Sequence, residues 1–172
     1  TETGTVLRVG LVQGNVEQNQ KWDPAYREPI LRRYLDLSRQ AIGSGAALVI
    51  WPEAATPFIF NLDNVAAAPV RRLAAESRTP FLIGTDEIER FPDGREAYYN
   101  AAVLVRTDGS SSGSYRKMWL VPFGEYVPMK RILFFVGPLV EAVSDFTPGD
   151  EPVVFDVDGR RVSVAICYES IA

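Results

Sequence analysis

A layered α/β fold with a mixed sheet is predicted for this 172-residue chain, and three observations predict it. Over the first half, short β-branched runs alternate with stretches of helical apolar periodicity. Over the second half, apolar runs flank Asp-Gly pairs, the strongest short-range hairpin signal. The composition, 47% apolar and 23% charged, is that of a folded globular chain long enough for one domain. The order β-α-β-α-β followed by hairpins places parallel and antiparallel strands in one structure.

The elements follow in chain order. Leu7-Arg8-Val9-Gly10-Leu11-Val12-Gln13 is short and half alternating, and reads as a strand. Between residues 24 and 42, Ile30, Leu31, Tyr34, Leu35, Leu37, Ala41 and Ile42 follow a helical period, which Gly43 and Gly45 stop. Ala47-Leu48-Val49-Ile50-Trp51 is continuously apolar, as a strand buried on both faces is, and Pro52 ends it. A second helix is expected over residues 64–77 with Asn64 as its N-cap. Phe81-Leu82-Ile83-Gly84 reads as the next buried strand. Residues 100–106 and 113–117 flank Asp108-Gly109, with Ser110 to Gly113 expected as a flexible tip. Residues 153–157 and 161–167 flank Asp158-Gly159.

Composition removes several classes of chemistry. There is no histidine, hence no Ser–His–Asp triad, no Cys–His dyad and no histidine-ligated metal. The single cysteine, Cys167, excludes an internal disulfide and any multi-cysteine cluster. The balance of 18 basic against 22 acidic residues, without same-sign blocks, argues against a nucleic-acid partner. No stretch reaches the roughly 20 apolar residues of a membrane span. Residues 119–140 come nearest and are broken by Glu125, Pro128, Lys130, Arg131 and Pro138. The chain opens at Thr1 without a methionine or signal segment and stops at Ala172, soon after Cys167, so it is expected to be a part of something longer.

Three residues can carry chemistry. Glu53 follows a buried strand at once, where ligands bind in open α/β sheets, although an ordinary loop glutamate fits that position equally well. Lys117 closes a strand and opens a run dense in aromatics, proline and glycine, whose plain reading is a packed irregular loop. Cys167 is expected at the tip of a buried strand before Tyr168-Glu169, which suits a nucleophile elbow, against the alternative of an inert buried thiol. A thiol nucleophile needs a base, and without histidine a carboxylate must serve. A tetrahedral intermediate needs a cation or N–H donor, which a lysine ammonium supplies.

These residues and their flanks resemble the nitrilase, or carbon–nitrogen hydrolase, superfamily, and within it the bacterial apolipoprotein N-acyltransferases. The resemblance rests on Val12-Gln13-Gly14-Asn15-Val16 with Lys21-Trp22-Asp23-Pro24, on Trp51-Pro52-Glu53, and on Ile166-Cys167-Tyr168-Glu169. Leu120-Val121-Pro122-Phe123-Gly124-Glu125-Tyr126-Val127-Pro128 is the most specific part. It implies an αββα sandwich with mixed sheets. The chain would supply the N-terminal two thirds of one catalytic domain, without the block of membrane helices that precedes it in those enzymes or the remainder that follows. By the same resemblance Cys167 is the nucleophile, Glu53 the general base and acid, and Lys117 the oxyanion stabiliser. Glu125, the Tyr168 N–H and Glu169 are supporting groups, and Trp22 lines the site.

The implied reaction moves an acyl chain from a membrane phospholipid, through a cysteine thioester, to the amine of a diacylglyceryl-cysteine apolipoprotein. It needs no metal or organic cofactor. It belongs at the outer, periplasmic face of the bacterial inner membrane. A soluble nitrilase-like amidase or carbamoylase would use the same residues with water as acceptor, and a non-catalytic fragment is the third alternative. Residues 129–140 are expected to form an apolar arm at the membrane surface, with Phe134 and Phe135 in the lipid and Lys130 and Arg131 at the head groups. Phe58-Ile59-Phe60 would form a second lip of that entrance.

Overall fold

The computed structural model describes residues 6–17, 20–122, 125 and 146–171. Its main sheet has five strands, β1 (Val9–Leu11), β2 (Leu48–Ile50), β3 (Phe81–Arg90), β4 (Glu96–Val105) and β5 (Ser111–Arg116), neighbours in that order. β1, β2 and β3 run parallel, and β4 and β5 extend the sheet antiparallel. A second, two-stranded sheet pairs β6 (Val154–Val157) with β7 (Arg160–Ser163). The mixed α/β class predicted above is therefore the class observed.

Two helices cover one face of the main sheet. Asp23 accepts from the Ala25 N–H at 2.9 Å and opens a 3-10 turn, Pro24–Tyr26, that leads directly into α1 (Arg27–Gly43). α1 buries Ile30, Tyr34, Leu35 and Ser38, one stripe at helical spacing. α2 (Asn64–Ser77) buries Ala67, Val70, Leu73 and Ala74. Its N-cap is Asp63 rather than Asn64: the Asp63 carboxylate accepts from the Ala66 N–H at 2.9 Å. A carboxylate one residue earlier reaches the third helical N–H and also pairs with Arg27.

Trp51 centres this helix-side core. It stacks on Tyr34 with ring centroids 4.8 Å apart and donates its indole N–H to Ser38 Oγ at 2.9 Å. Each such fully buried large side chain contributes about 1.5–3 kcal/mol. Phe58 and Phe60 belong to the same core, 5% and 0% exposed, under the guanidinium groups of Arg27 and Arg71. They do not form a lip of an entrance, because packing α2 against the sheet buries them. The opposite face of the sheet carries Leu48, Leu82, Ala102, Leu104 and Tyr115, packed against Phe155 and Val157 of β6 and Ile166.

Three further expectations change. β3 runs past Gly84 to Arg90, paired residue by residue with β4 from Phe81↔Val105 to Arg90↔Glu96. Its second half carries Asp86, Glu87, Glu89 and Arg90, so it shows no apolar run. Ser111 to Gly113 are strand rather than hairpin tip, because they pair with the end of β4. β7 stops at Ser163, and Cys167 instead begins a 3-10 turn, Cys167–Ser170. Residues 161–165 are half-buried or exposed rather than buried on both faces. Among the described residues, no helix is long and apolar enough to cross a membrane.

Candidate active site

Glu53 hangs on a loop that the sheet holds closely. The Trp51 N–H donates to Leu82 O at 2.9 Å and the Ala55 N–H to Gly84 O at 2.8 Å, so the intervening Pro52-Glu53-Ala54 lies across β3. A Cβ at residue 84 would sit 2.1 Å from Pro52 O and 2.8 Å from Glu53 Cα, and only glycine admits that approach. Ala54 takes φ +45°, a left-handed conformation that is costly for alanine. The strained turn carries the Glu53 carboxylate to the Asn100 amide of β4, which donates to Oε1.

Lys117 is placed by its backbone. Its N–H donates to Asn100 O at 2.8 Å, and its own carbonyl accepts from the Gly149 N–H at 2.9 Å. The side chain, 1% exposed, ends between two carboxylates. Nζ lies 2.9 and 2.8 Å from the two Glu125 oxygens and 3.4 Å from Glu53 Oε1. Asn100, 4% exposed, donates its amide to Glu53 Oε1 at 2.5 Å and to Glu125 Oε1 at 2.8 Å. Glu125 Oε2 also accepts from the Val121 N–H at 2.8 Å. One lysine and one asparagine thus lock two glutamates together.

The charges follow from this arrangement. Burial opposes the Lys117 ammonium, but the Glu125 hydrogen bond and the Glu53 and Glu125 charges outweigh it and hold its pKa above the ordinary lysine value. Burial likewise opposes the Glu125 carboxylate. Lys117, the Val121 N–H and Asn100 outweigh it and keep Glu125 below the ordinary range. Cys167 is the last of the groups that act to raise Lys117, so its side chain lies within electrostatic reach of Nζ.

Cys167 is exposed and has φ +54°, the same left-handed conformation as Ala54. Glu169 fixes the turn around it. Its Oε2 accepts from the Ile166 N–H at 2.8 Å. Its Oε1 accepts from Tyr115 OH at 2.7 Å, the Met118 N–H at 2.7 Å and the Trp119 N–H at 3.1 Å. Burial alone would raise Glu169, yet these donors hold it below the ordinary glutamate range, while burial and the Glu169 charge push Tyr115 up to about 12. The carboxylate therefore ties the Cys167 turn to the segment that leaves Lys117.

The sequence-predicted residues are distributed as follows. Glu53, Lys117 and Glu125 are in direct contact, and Glu169 links Cys167 to the Lys117 segment. Tyr168 is half exposed beside Cys167. Trp22 is half exposed, with Lys21 Nζ 5.7 Å from its ring centroid. Burial lowers the Lys21 pKa, against the charges of Asp86 and Glu53, so the Trp22 loop stands on the Glu53 side. Phe134 and Phe135 lie outside the described residues. Next to Lys117, Met118, Trp119, Leu120, Phe146 and Pro148 line an apolar cleft of about 400 Å³.

Asn100 and Asp86 escaped the sequence reading. Asn100 had one signal, a lone amide opening the apolar run Ala101 to Val105, while Asp86 sat in a charged stretch without a strand signature.

Residues 8–172 match the family model of the carbon-nitrogen hydrolases. The chain is 40% identical over 172 residues to an apolipoprotein N-acyltransferase of Geobacter metallireducens, covering 99% of this chain and 33% of that protein. It is 38% identical over 175 residues to the enzyme of the same name from Azotobacter vinelandii, with 98% and 32% covered. The chain thus spans about a third of the length of the curated relatives it matches. Among solved structures, an amidase from Nesterenkonia sp. superposes with a TM-score of 0.62 at 22% identity, covering 94% of this chain and 56% of that one. A carbon-nitrogen hydrolase from Helicobacter pylori G27 superposes with a TM-score of 0.63 at 21% identity, covering 95% and 52%. These two share the fold, a nitrilase-type α/β sandwich. With the family model matched over nearly its whole length, the chain belongs to the carbon-nitrogen hydrolase family.

Proposed function

We propose that the protein carrying this chain transfers an acyl group from a membrane phospholipid, through a thioester on Cys167, to the α-amine of a diacylglyceryl-cysteine apolipoprotein. The names of the relatives at 40% and 38% identity support the overall reaction. The observation that carries the mechanism is the buried contact of Lys117 with both Glu53 and Glu125, joined by the Asn100 amide.

Glu53 accepts the Sγ–H proton as Cys167 attacks the ester carbonyl. The carbonyl π electrons move to oxygen, and the Lys117 ammonium faces the developing oxyanion, joined by the N–H of Tyr168. Collapse breaks the ester C–O bond, Glu53 returns its proton to the leaving oxygen, and a lysophospholipid departs. The acceptor amine then attacks the thioester carbonyl. Glu53 takes a proton from that nitrogen, the C–S bond breaks, and the proton returns to sulfur. An amide replaces a thioester, so the direction is downhill.

Glu125 keeps Lys117 charged through both steps and does not need to exchange protons itself, since its pKa is held low. The apolar cleft lined by Met118, Trp119 and Phe146 is formed in part by the segment that directly follows Lys117, and it suits the first methylenes of an acyl chain. Trp22, Phe134 and Phe135 are assigned to lipid contact, and the reaction to the outer face of the inner membrane.

The test is the fate of the acyl group. Intact protein loaded with radiolabelled phospholipid should pass label to a diacylglyceryl-cysteine peptide and leave it N-acylated. Release of free fatty acid at the same rate with or without that peptide would assign the site to hydrolysis instead.

A further inference from the structure

Asn100 leaves one group unaccounted for. Its Nδ2 faces two carboxylates, which only accept, so the amide cannot turn over without placing oxygen against oxygen. Oδ1 therefore points elsewhere. It is fully buried and has no hydrogen-bond partner among the described residues. A buried amide oxygen in that state calls for a donor.

The residue directly opposite is Asp86, which pairs with Asn100 across β3 and β4. Facing residues in an antiparallel pair stand on the same side of the sheet with Cβ atoms about 4.5–5.5 Å apart. Charged groups reach Asp86 from three other elements: Lys21 before α1, Glu53 after β2, and Glu125 after β5. Lys117 is paired to both glutamates and completes the set. Burial pushes the Asp86 carboxyl up, Lys21 opposes this, and Glu53 and Glu125 add to it, leaving the pKa raised.

We propose that Asp86 is a positioning residue for Glu53: as a neutral acid it donates its O–H to Asn100 Oδ1 and so fixes the amide that holds Glu53. The inference rests on the reading of Glu53 as the base of Cys167. Ionising Asp86 would set its carboxylate against the amide oxygen and release the Asn100 amide from its orientation. The rate of acyl transfer should then fall as pH rises through the raised pKa of Asp86. Lys21 sets where that fall lies, because its charge favours the ionised form.

The experiment uses the intact protein, with Cys167 alkylation by iodoacetamide and acyl transfer measured in parallel. Asp86→Leu should slow both on the order of 10²-fold, the scale of a misplaced reacting group. Asp86→Asn keeps an N–H donor at every pH. It should restore both rates and remove the limb of the transfer profile that Asp86 ionisation sets. Lys21→Met should keep the rate and shift the same limb upward. Parental alkylation in Asp86→Leu would overturn the proposal, as would no difference between Asp86→Asn and Asp86→Leu. A loss in Lys21→Met equal to that in Asp86→Leu would make Lys21 the donor and overturn it too. Glu53→Gln separates the two readings. If it alkylates slowly while Asp86→Leu is parental, only the Asp86 role fails. If Glu53→Gln itself alkylates at the parental rate, the base assignment fails and the Asp86 role falls with it.

Discussion

Lys117 carries a charge that burial alone opposes. Its neighbours, not its solvent, keep it protonated: two Glu125 oxygens within 2.9 Å and Glu53 Oε1 at 3.4 Å. A cation fixed in this way before substrate arrives is suited to a charge that exists only in the transition state. Lys117→Met should therefore lower kcat by about 10²–10³, the usual loss for one oxyanion donor. The same change strands two carboxylates, so the folded fraction is checked by circular dichroism before the kinetics are compared. The lysine also leaves a mark on stability. Its folded pKa is raised, so its contribution is complete below the unfolded value of about 10.4 and is lost as pH rises through the folded one. Glu53 and Lys117 were legible in the sequence because each follows a strand signal and because the missing histidine leaves few other bases. Asn100 was not, since nothing in its position reveals that its amide spans two carboxylates from distant segments.

At the scale of elements, the site depends on a few close approaches between segments. Gly84 lets the Glu53 loop rest on β3, and Glu169 clips the Cys167 turn to the residues after Lys117. Gly84→Ala should destabilise by about 1–3 kcal/mol or displace the loop, because the clash is with backbone rather than a flexible side chain. Chemical denaturation reads the first outcome, and slowed Cys167 alkylation the second. Glu169 predicts an acid signature. Its folded pKa is depressed, so its contribution is present above the unfolded value of about 4.3 and fades as pH falls through the folded value. Glu169→Gln should lower the unfolding midpoint at neutral pH and flatten the decline of that midpoint below about pH 4.3. An unchanged acid profile would mean that the carboxylate contributes no net stability there. The short parallel strands, both helices and two hairpins were legible from periodicity and Asp-Gly pairs. The second half of β3 was hidden because its inward and outward faces both carry charge, and the end of β7 was misplaced because the apolar run Val164-Ala165-Ile166 continues past the last ladder pair.

At the scale of the molecule, a five-stranded mixed sheet carries helices on one face and the β6–β7 hairpin on the other. The edge where the parallel strands end brings together residues up to 116 positions apart, from Glu53 to Glu169. That layering was legible as a fold class, and the motif around residues 120–128 pointed to the family that the family model also matches. What periodicity could not give is the convergence of loops at that edge, which depends on tertiary contacts rather than local pattern. The central claim is that Cys167 becomes acylated. Its most direct test is mass spectrometry of the intact protein after incubation with phospholipid of one defined acyl chain. The account predicts a single added acyl group on the peptide containing Cys167, removed by neutral hydroxylamine and absent from Cys167→Ala, which should also have no turnover. Acyl transfer that persists in Cys167→Ala, or an adduct that maps to another residue, would contradict it.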